Sequence, residues 1–266
     1  MKCICCDKDG ATVDSHVISN FVRKAITGIE TPMGKKFQFS YFGRADLPKQ
    51  DLPKPKLLCQ HCDNKLGSTI ERSAASVLIP NGDLSLASTW KQLPLEYFDI
   101  LDIGGSSLTA ARYSIDDVIL DCAVSKFSVL TAWRALHAMN AERNSDAVDF
   151  LASEEGRLLH GTTVRFLEDS DHTTYLHFPY FSQLYFFGPK SAATISGADD
   201  EVPFAWTFVR AKDQLGIGVI LGYWVILWSL VSDDDPRIKF RDLLRPTFID
   251  WHVKVNKTLH QNRLTG

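Results

Sequence analysis

The 266-residue sequence has few of the features that would place it in a special class of protein. Its six cysteines are too few for a disulfide scaffold at this length. Lys and Arg number 29 against 32 Asp and Glu, and this near balance excludes a polycation built to coat nucleic acid. The sequence has no internal repeat. Its hydrophobic content of 45% and charged content of 23% are ordinary for a soluble globular chain, which excludes disorder and a coiled coil as descriptions of the whole.

Two further absences bear on localisation. The opening residues, MKCICCD, contain no apolar run of the kind that a secretory signal needs. The longest relevant uncharged stretch, Leu215 to Val231, has 17 residues and is at the short limit for a transmembrane helix. Its three glycines and its Val, Ile, Tyr and Trp residues favour two buried strands, and an acidic run follows it without a basic flank. We therefore expect a cytoplasmic protein, and the alternative of a membrane-associated effector rests on this one stretch.

Charge is divided unevenly along the chain. Residues 1–66 contain 11 Lys and Arg against 7 Asp and Glu, whereas the remaining 200 residues contain 18 against 25. A zinc ion held by four thiolates in the first segment would reduce its positive charge by two. The modest excess that remains tolerates phosphate, but it does not by itself indicate a nucleic-acid-binding protein.

Five of the six cysteines lie in the first 62 residues, and four of them form two C-x2-C pairs, Cys3 with Cys6 and Cys59 with Cys62. Two intervening residues let both sulfurs of a pair approach one tetrahedral ion at about 2.3 Å. Cys5 leaves a Cys3-x-Cys5 pair as an alternative, and we prefer Cys6 because its spacing matches that of the second pair. The sequence therefore predicts one structural zinc ion.

Turn-forming residues at 80–83 (PNGD) indicate a domain boundary. Residues 1–79 are predicted to form a zinc-bound module, and residues 80–266 a mixed helical and antiparallel β domain. The fold class expected for the whole chain is therefore α+β. The elements predicted within the module are a short helix capped by Ser19 or Asn20, a loop-like segment and a second helix, at 21–27, 29–56 and 63–78.

Hydrophobic periodicity predicts the elements of the second region. Apolar residues recur at three- and four-residue steps from Ile115 to Ala141, and Ser114 and Asp117 have the spacing of a capping box. A further helix is predicted over 146–159, ending at His160-Gly161. β-like segments are predicted at 163–167, 173–187, 204–211 and 217–231, followed by a C-terminal helix from Pro246 to about Gln261.

The order of three short motifs resembles that of a known family. In this chain the motifs are CICC (3–6), SHVIS (15–19) and LLCQHCD (57–63). They resemble the HNH group of His-Me finger (ββα-metal) nucleases, and more closely uncharacterised bacterial HNH-like proteins with SHIIP-type and LLCxxCE-type motifs. The resemblance covers residues 1–75 and says little about residues 160–266. It implies a treble-clef or ββα-metal-like zinc module that hydrolyses nucleic-acid phosphodiesters in a prokaryotic defence setting. As the nucleic-acid partner we expect DNA more than RNA.

The resemblance also implies roles for individual residues. His16 would be the general base, because an imidazole with a pKa near neutral can take a proton from the attacking water. Asp63 would ligate a catalytic Mg²⁺ or Mn²⁺, at a position where the family often has His, and Ser15 stands where the family often has a second metal ligand. Gln50 is a candidate to orient the His16 ring. Glu71 lies two helical turns after Asp63 and is expected to support the site or to form a salt bridge.

Alternatives remain open for the histidine and for the whole chain. His16 could instead hydrogen-bond the loop in which it lies, or replace a cysteine as a zinc ligand. Because Ser15 and Asp63 depart from the family's metal ligands, the alternative function is a non-catalytic zinc-finger binding or adaptor protein with an eroded HNH site. In both cases we expect nucleic acid as a partner, and residues 80–266 as the region that would contact a protein partner.

Overall fold

A computed structural model describes residues 2–10, 12–22, 54–79, 117–173, 177–180, 182–186, 202–211, 214–221 and 224–230, together with the backbone of strands at 37–41, 44–45, 95–103 and 106–113. The predicted boundary at 80–83, the predicted helix from Pro246 and the candidate orienting residue Gln50 lie outside the described residues. The described chain is a mixed α and β structure.

Two short strands and a long helix lie around the two cysteine pairs. Strand β1 (Thr12–Asp14) pairs antiparallel with β4 (Lys56–Cys59), with Val13 opposite Leu58. Strand β4 leads directly into helix α1 (60–78), which begins three residues before the predicted start and ends at the predicted residue. The three parts of α1 are a regular helix, a π-helical segment and a second regular helix, at Gln60–Leu66, Gly67–Glu71 and Arg72–Leu78.

A helical turn begins at Asn20, close to the predicted short helix. The Val22 N–H donates to the Ser19 carbonyl at 3.1 Å, whereas the Ser19 hydroxyl is buried and has no hydrogen-bond partner among the described residues. Ser19 therefore does not cap this turn through its side chain. Residues 23–27 of the predicted helix lie outside the described residues.

Helix α2 (Val118–Ala141) lies at the centre of the fold. Its N-cap is Asp117, whose carboxylate accepts hydrogen bonds from the backbone N–H groups of Ile119 and Leu120 at 2.9 and 3.1 Å. The predicted start at Ile115 with Ser114 as the cap is therefore wrong, because the extended Asp117 itself satisfies the first free N–H groups. Every residue from 126 to 139 is buried, which is typical of a helix surrounded by core on all sides.

Two helices replace the single one predicted over 146–159. They are α3 (Ser145–Ala152) and α4 (Glu154–Glu168), and the chain breaks between them at Ser153, which is extended (ψ 167°). The Ser153 hydroxyl accepts from the Gly156 N–H at 3.0 Å and caps α4. Helix α4 continues through His160-Gly161, so the predicted strand at 163–167 is also wrong. The five-residue segment TVRFL is too short for its apolar pattern to distinguish a strand from a helix segment.

An eight-stranded sheet completes the fold, in the order β3-β2-β8-β9-β10-β7-β6-β5. All neighbouring strands are antiparallel except β2 and β8, which are parallel. The strands not yet given are β2 (Phe37–Tyr41), β3 (Arg44–Ala45), β5 (Leu95–Ile103), β6 (Ser106–Tyr113), β7 (Ser182–Phe186), β8 (Val202–Ala211), β9 (Gln214–Leu221) and β10 (Trp224–Ser229).

The uncharged stretch at 215–231 forms β9 and β10, as predicted. Trp224 of β10 lies opposite Leu221 of β9, and β10 is buried at all six positions. Within the described residues, no helix is long and apolar enough to cross a membrane. The strand predicted at 204–211 is confirmed within β8. Of the segment predicted at 173–187, the part that the structure describes contains one strand, Ser182–Phe186.

Strands β1 to β6 have no counterpart among the strands predicted from the sequence. Strands β2 and β3 lie inside the segment expected to be loop-like, and β5 and β6 pair with each other in antiparallel orientation. The sheet therefore takes two of its strands from within residues 1–79, the predicted zinc module.

One hydrophobic cluster runs from the module through α2 to the sheet. Trp206, Val219, Ile226 and Leu184 lie opposite one another on neighbouring strands, so that their side chains share one face. Phe127 of α2 lines the same small apolar cavity as Leu184 does, which places α2 against this face. Helix α2 is therefore the element through which the module and the sheet share a core.

The corner between α3 and α4 allows no side chain at Gly156. A Cβ atom there would lie 1.9 Å from the Phe150 carbonyl oxygen, whereas a Cβ at Gly161 in the same helix would meet nothing within 4 Å. We expect Gly156→Ala to lower the free energy of unfolding by more than about 2 kcal/mol through this overlap, and Gly161→Ala to be neutral or to raise it by up to about 1 kcal/mol through helix propensity. Urea unfolding followed by circular dichroism measures both. Equal effects of the two variants would contradict the close approach.

Candidate metal centre

Four cysteine side chains converge on one point in the N-terminal region. The sulfurs of Cys3, Cys6, Cys59 and Cys62 all lie within 4.8 Å of one another, and the Cys6 and Cys59 sulfurs are 3.9 Å apart. Four sulfurs at about 2.3 Å from a tetrahedral zinc ion are about 3.8 Å from one another. The four thiols can therefore hold one metal ion with little adjustment, as the two C-x2-C spacings predict.

The backbone shapes this region before any metal is considered. The Asp7 N–H donates to the Cys3 carbonyl at 2.9 Å, closing a turn in which Asp7 has a φ of 56°. The Ile4 N–H donates to the Leu57 carbonyl of β4 at 3.0 Å. This last bond ties the first cysteine pair to the strand that leads into the second pair.

The second pair lies at the start of helix α1. Cys59 is its N-cap residue and makes no side-chain capping hydrogen bond, and Cys62 lies in the first turn. The free N–H groups and positive dipole of a helix N-terminus favour thiolates at this place. The helix therefore begins at the point where negative charge on the sulfurs is best tolerated.

The thiols of the cluster differ in their readiness to ionise. Burial opposes ionisation of Cys3, but hydrogen bonds from the backbone of Cys59, Cys6 and Cys5 lower its pKa to about 7. Burial and hydrogen bonds with neighbouring thiols raise the pKa of Cys62. A bound divalent ion would reverse this increase, because thiolates are the form that ligates metal, and binding would release protons.

The two remaining cysteines stand outside the four-sulfur cluster. Cys5 is half-buried next to Cys62, and burial raises its pKa to about 11. Cys122 is buried in α2, and burial raises its pKa too. The structure thus pairs Cys3 with Cys6, which was the preferred choice, and places Cys5 beside the site.

The SHVI motif follows β1 and is held by its backbone. Ser15 is fully buried, its N–H donates to the Pro55 carbonyl at 3.2 Å, and its hydroxyl donates to the Val13 carbonyl at 3.4 Å. Val17 and Ile18 are also fully buried, whereas His16 is only half-buried. The motif therefore anchors the chain after β1 and leaves the imidazole of His16 near the surface of the module.

Asp63 and Glu71 both face a buried arginine of α2. An Asp63 carboxylate oxygen lies 3.5 Å from an Arg134 guanidinium nitrogen, and a second nitrogen of the same guanidinium donates to Glu71. The Arg134 side chain is only 3% exposed, against 28% for Asp63 and 19% for Glu71. Asp63, the expected metal ligand, and Glu71, expected to support the site or to form a salt bridge, thus both form ion pairs with one cation of the protein.

The π-helical segment brings these two carboxylates to one place. Eight residues of regular α-helix advance about 80° past two full turns, which would turn Glu71 away from the line through Asp63. The wider turn at Gly67–Glu71 reduces this offset. One guanidinium can therefore contact both side chains, although they are two turns apart.

A second polar cluster lies between α2 and α4 and was missed in the sequence. A ring nitrogen of His137 is 3.1 Å from Nδ1 of His160, and the Trp133 indole N–H donates to the same Nδ1 at 3.3 Å. Because the Trp133 donor needs an acceptor, His160 is held with Nδ1 unprotonated. Burial, and then the neighbouring His160, lower the pKa of His137 to about 3, and burial lowers the pKa of His160.

Both clusters on α2 had a sequence signal that was not used. Arg134 and His137 lie inside the apolar run 126–139, where a polar side chain needs a buried partner. The identity of the partner was not readable, because it comes from a distant part of the chain.

Comparison of the chain with protein-family models, with curated proteins and with solved structures gives no match.

We expect one zinc ion per chain in protein purified without chelator. Cys6→Ser and Cys59→Ser each remove one of four converging sulfurs, so zinc content should fall well below one. Cys5→Ser and Cys122→Ser are matched controls, because their sulfurs lie outside the cluster, and both should retain the ion. Elemental analysis measures the content. Loss of zinc from Cys5→Ser with retention in Cys6→Ser would overturn this ligand assignment.

The histidine pair predicts a loss of stability in acid. His137 binds a proton at about pH 3 in the folded chain but near its ordinary pKa of 6.5 when unfolded, so the unfolded state binds more protons between these values. The free energy of unfolding should therefore fall as pH drops below about 6.5, by at most about 1.4 kcal/mol per pH unit for this group.

Urea titrations at several pH values between 7 and 4 test this slope. His137→Gln should flatten it relative to wild type, since glutamine does not titrate. His61→Gln changes an exposed histidine and should leave the slope as it is. An unchanged slope in His137→Gln would show that the pair does not set the acid sensitivity.

Proposed function

We propose that this chain is a non-catalytic, zinc-stabilised binding protein, whose N-terminal module keeps the motif order of an HNH nuclease without its second metal site. The observation that carries this proposal is the ion pairing of Asp63 and Glu71 with the buried Arg134. The only carboxylate that the motif offers as a catalytic metal ligand is thereby engaged by a protein cation.

Electrostatics support this assignment. A divalent ion bound to Asp63 would lie close to a guanidinium that is 3% exposed and cannot lose its charge. Repulsion between the two cations is strong where water is excluded. Moving Arg134 away from Asp63 and Glu71 would leave its charge buried without a carboxylate partner. Ser15 stands where the family often has a metal ligand, and its hydroxyl donates to a backbone carbonyl.

The local topology supports a treble-clef-like module. The first cysteine pair lies in a turn, the antiparallel β1–β4 pair follows, and α1 begins at the second cysteine pair. A zinc ion bound by the four cysteines would link the turn of the first pair to the β1–β4 strands and to helix α1. Zinc in this proposal is structural, since all four of its positions would be filled by thiolates.

Nucleic acid is the proposed partner of the module, and duplex DNA is preferred over RNA. The order of the HNH-like motifs supports nucleic acid as the partner, and the modest excess of Lys and Arg over residues 1–66 is compatible with phosphate contact. A protein partner of residues 80–266 is the companion proposal. Fluorescence anisotropy with a labelled 20-base-pair duplex and the matching RNA tests it. Binding that weakens steeply with salt supports phosphate contact. Absence of binding to either at 50 mM salt would remove nucleic acid as the partner.

The second candidate function is HNH-type hydrolysis of DNA with His16 as the general base. It is favoured by the position of His16, half-buried and directly after β1 in the β1–β4–α1 order. It requires Asp63 to bind Mg²⁺ or Mn²⁺ through the carboxylate while Arg134 remains its neighbour.

Titration of zinc-loaded protein with Mn²⁺ separates the two candidates. We expect wild type and Asp63→Asn to take up Mn²⁺ alike, without a specific site. We also expect His16→Ala to leave any cleavage of plasmid DNA or RNA at the wild-type level. Asp14→Asn is the control, because this carboxylate lies near the motif but outside the cluster around Arg134. A Mn²⁺ site lost in Asp63→Asn, together with cleavage lost in His16→Ala, would replace the binding proposal with the nuclease.

A further inference from the structure

We propose that zinc binding and folding of the central helix α2 are coupled through Arg134, so that removing zinc unfolds the helical core as well as the module. The inference rests on the zinc site of the proposed function and does not depend on any partner. The buried charge of Arg134 on α2 is paired with carboxylates of α1, the helix that begins at the second cysteine pair.

Arg134 needs a compensating charge because it lies in the middle of the buried run 126–139. Within the part of the chain that the structure describes, both of its ion-pair partners, Asp63 and Glu71, lie on α1. Its Nε–H is buried and has no partner among the described residues. The compensation of this charge therefore comes from one neighbouring helix.

Helix α1 is positioned by the metal ligands at its start. Cys62 immediately precedes Asp63, and the N-cap residue Cys59 makes no side-chain capping bond that would replace a ligand bond. Without zinc, four thiols crowd together in a partly buried site, with their sulfurs within 4.8 Å of one another. Relaxation of this crowding moves the turn of α1 that carries Asp63.

Displacement of α1 leaves the guanidinium in the core without its carboxylates. Breaking a buried ion pair from one side is far more costly than breaking an exposed one, and the penalty is large against the marginal stability of a domain. Helix α2 can escape this penalty only by exposing Arg134, which means leaving the sheet. The loss of zinc is thereby transmitted to a helix that holds none of the ligands.

A second ion pair between the same module and the helices provides a matched control. Lys65 of α1 lies 2.8 Å from Glu168 of α4, and both side chains are 42% exposed. An exposed pair contributes little to stability, so it should not transmit the loss of zinc.

Hydrogen exchange of the full-length chain, with and without a zinc chelator, tests the coupling. We expect chelation to abolish amide protection over 60–78 and over 126–139 together, and re-addition of zinc to restore both. In Arg134→Met, chelation should expose 60–78 alone, because an uncharged side chain of similar length can stay buried. Lys65→Met should behave as wild type. Retained protection over 126–139 in zinc-free wild type, or its equal loss in Arg134→Met, would overturn the proposal.

A milder variant keeps the test open if Arg134→Met does not fold. Glu71→Gln removes one of the two charges at Arg134 but no zinc ligand. With zinc still bound by elemental analysis, it should lower protection over 126–139 roughly tenfold or more. Unchanged protection would count against the coupling. These measurements use no nucleic acid, so DNA cleavage by the wild type would remove the proposed binding function without affecting them.

Discussion

The convergence of four cysteine sulfurs on one point is the constraint on which the rest of the fold depends, because it fixes the first turn of α1. A helix is stiff, so holding its first turn sets the position of its whole length. The buried side of α1 packs into the core that it shares with α2, and its carboxylates reach Arg134. The geometry of the cysteine cluster, apolar packing and one buried charge therefore act on the same element.

The parts of the fold that depend on local chemistry could be predicted from the sequence. The C-x2-C spacing identified the four converging cysteines, and the end of α1 and the end of α2 followed from hydrophobic periodicity. The glycines and β-branched residues of the uncharged stretch identified β9 and β10. In each case, the signal and the structure that it specifies lie within a few residues of one another.

The predictions from sequence failed where two local signals competed, or where the element that pairs with a segment is distant in the chain. Gly161 predicted a helix end, but the break between α3 and α4 lies eight residues earlier, at Ser153, whose hydroxyl caps α4. Phe37–Tyr41 has the alternation of a strand, but the surrounding glycines and prolines concealed it. Its pairing with β8 joins residues more than 160 positions apart, and no local pattern encodes such a register.

The candidate site illustrates the same limit in chemical terms. The motif gave the residue type and order of Asp63, but its partner Arg134 comes from another helix, 71 positions later. The motif predicts the Asp63 carboxylate to be a metal ligand, whereas in the fold it forms an ion pair with Arg134. The charge that faces a side chain, and not the side chain alone, determines which role it can have.

The parallel pairing of β2 with β8 makes the predicted module inseparable from the rest of the chain. A fragment ending at residue 79 would remove β2 and β3 from the sheet and leave the backbone of β8 as a new edge, open to pairing with other chains. The same fragment would carry two strands with no sheet to join. Transfer of the cysteine motifs to another protein by fusion of residues 1–79 would thus leave both pieces incomplete.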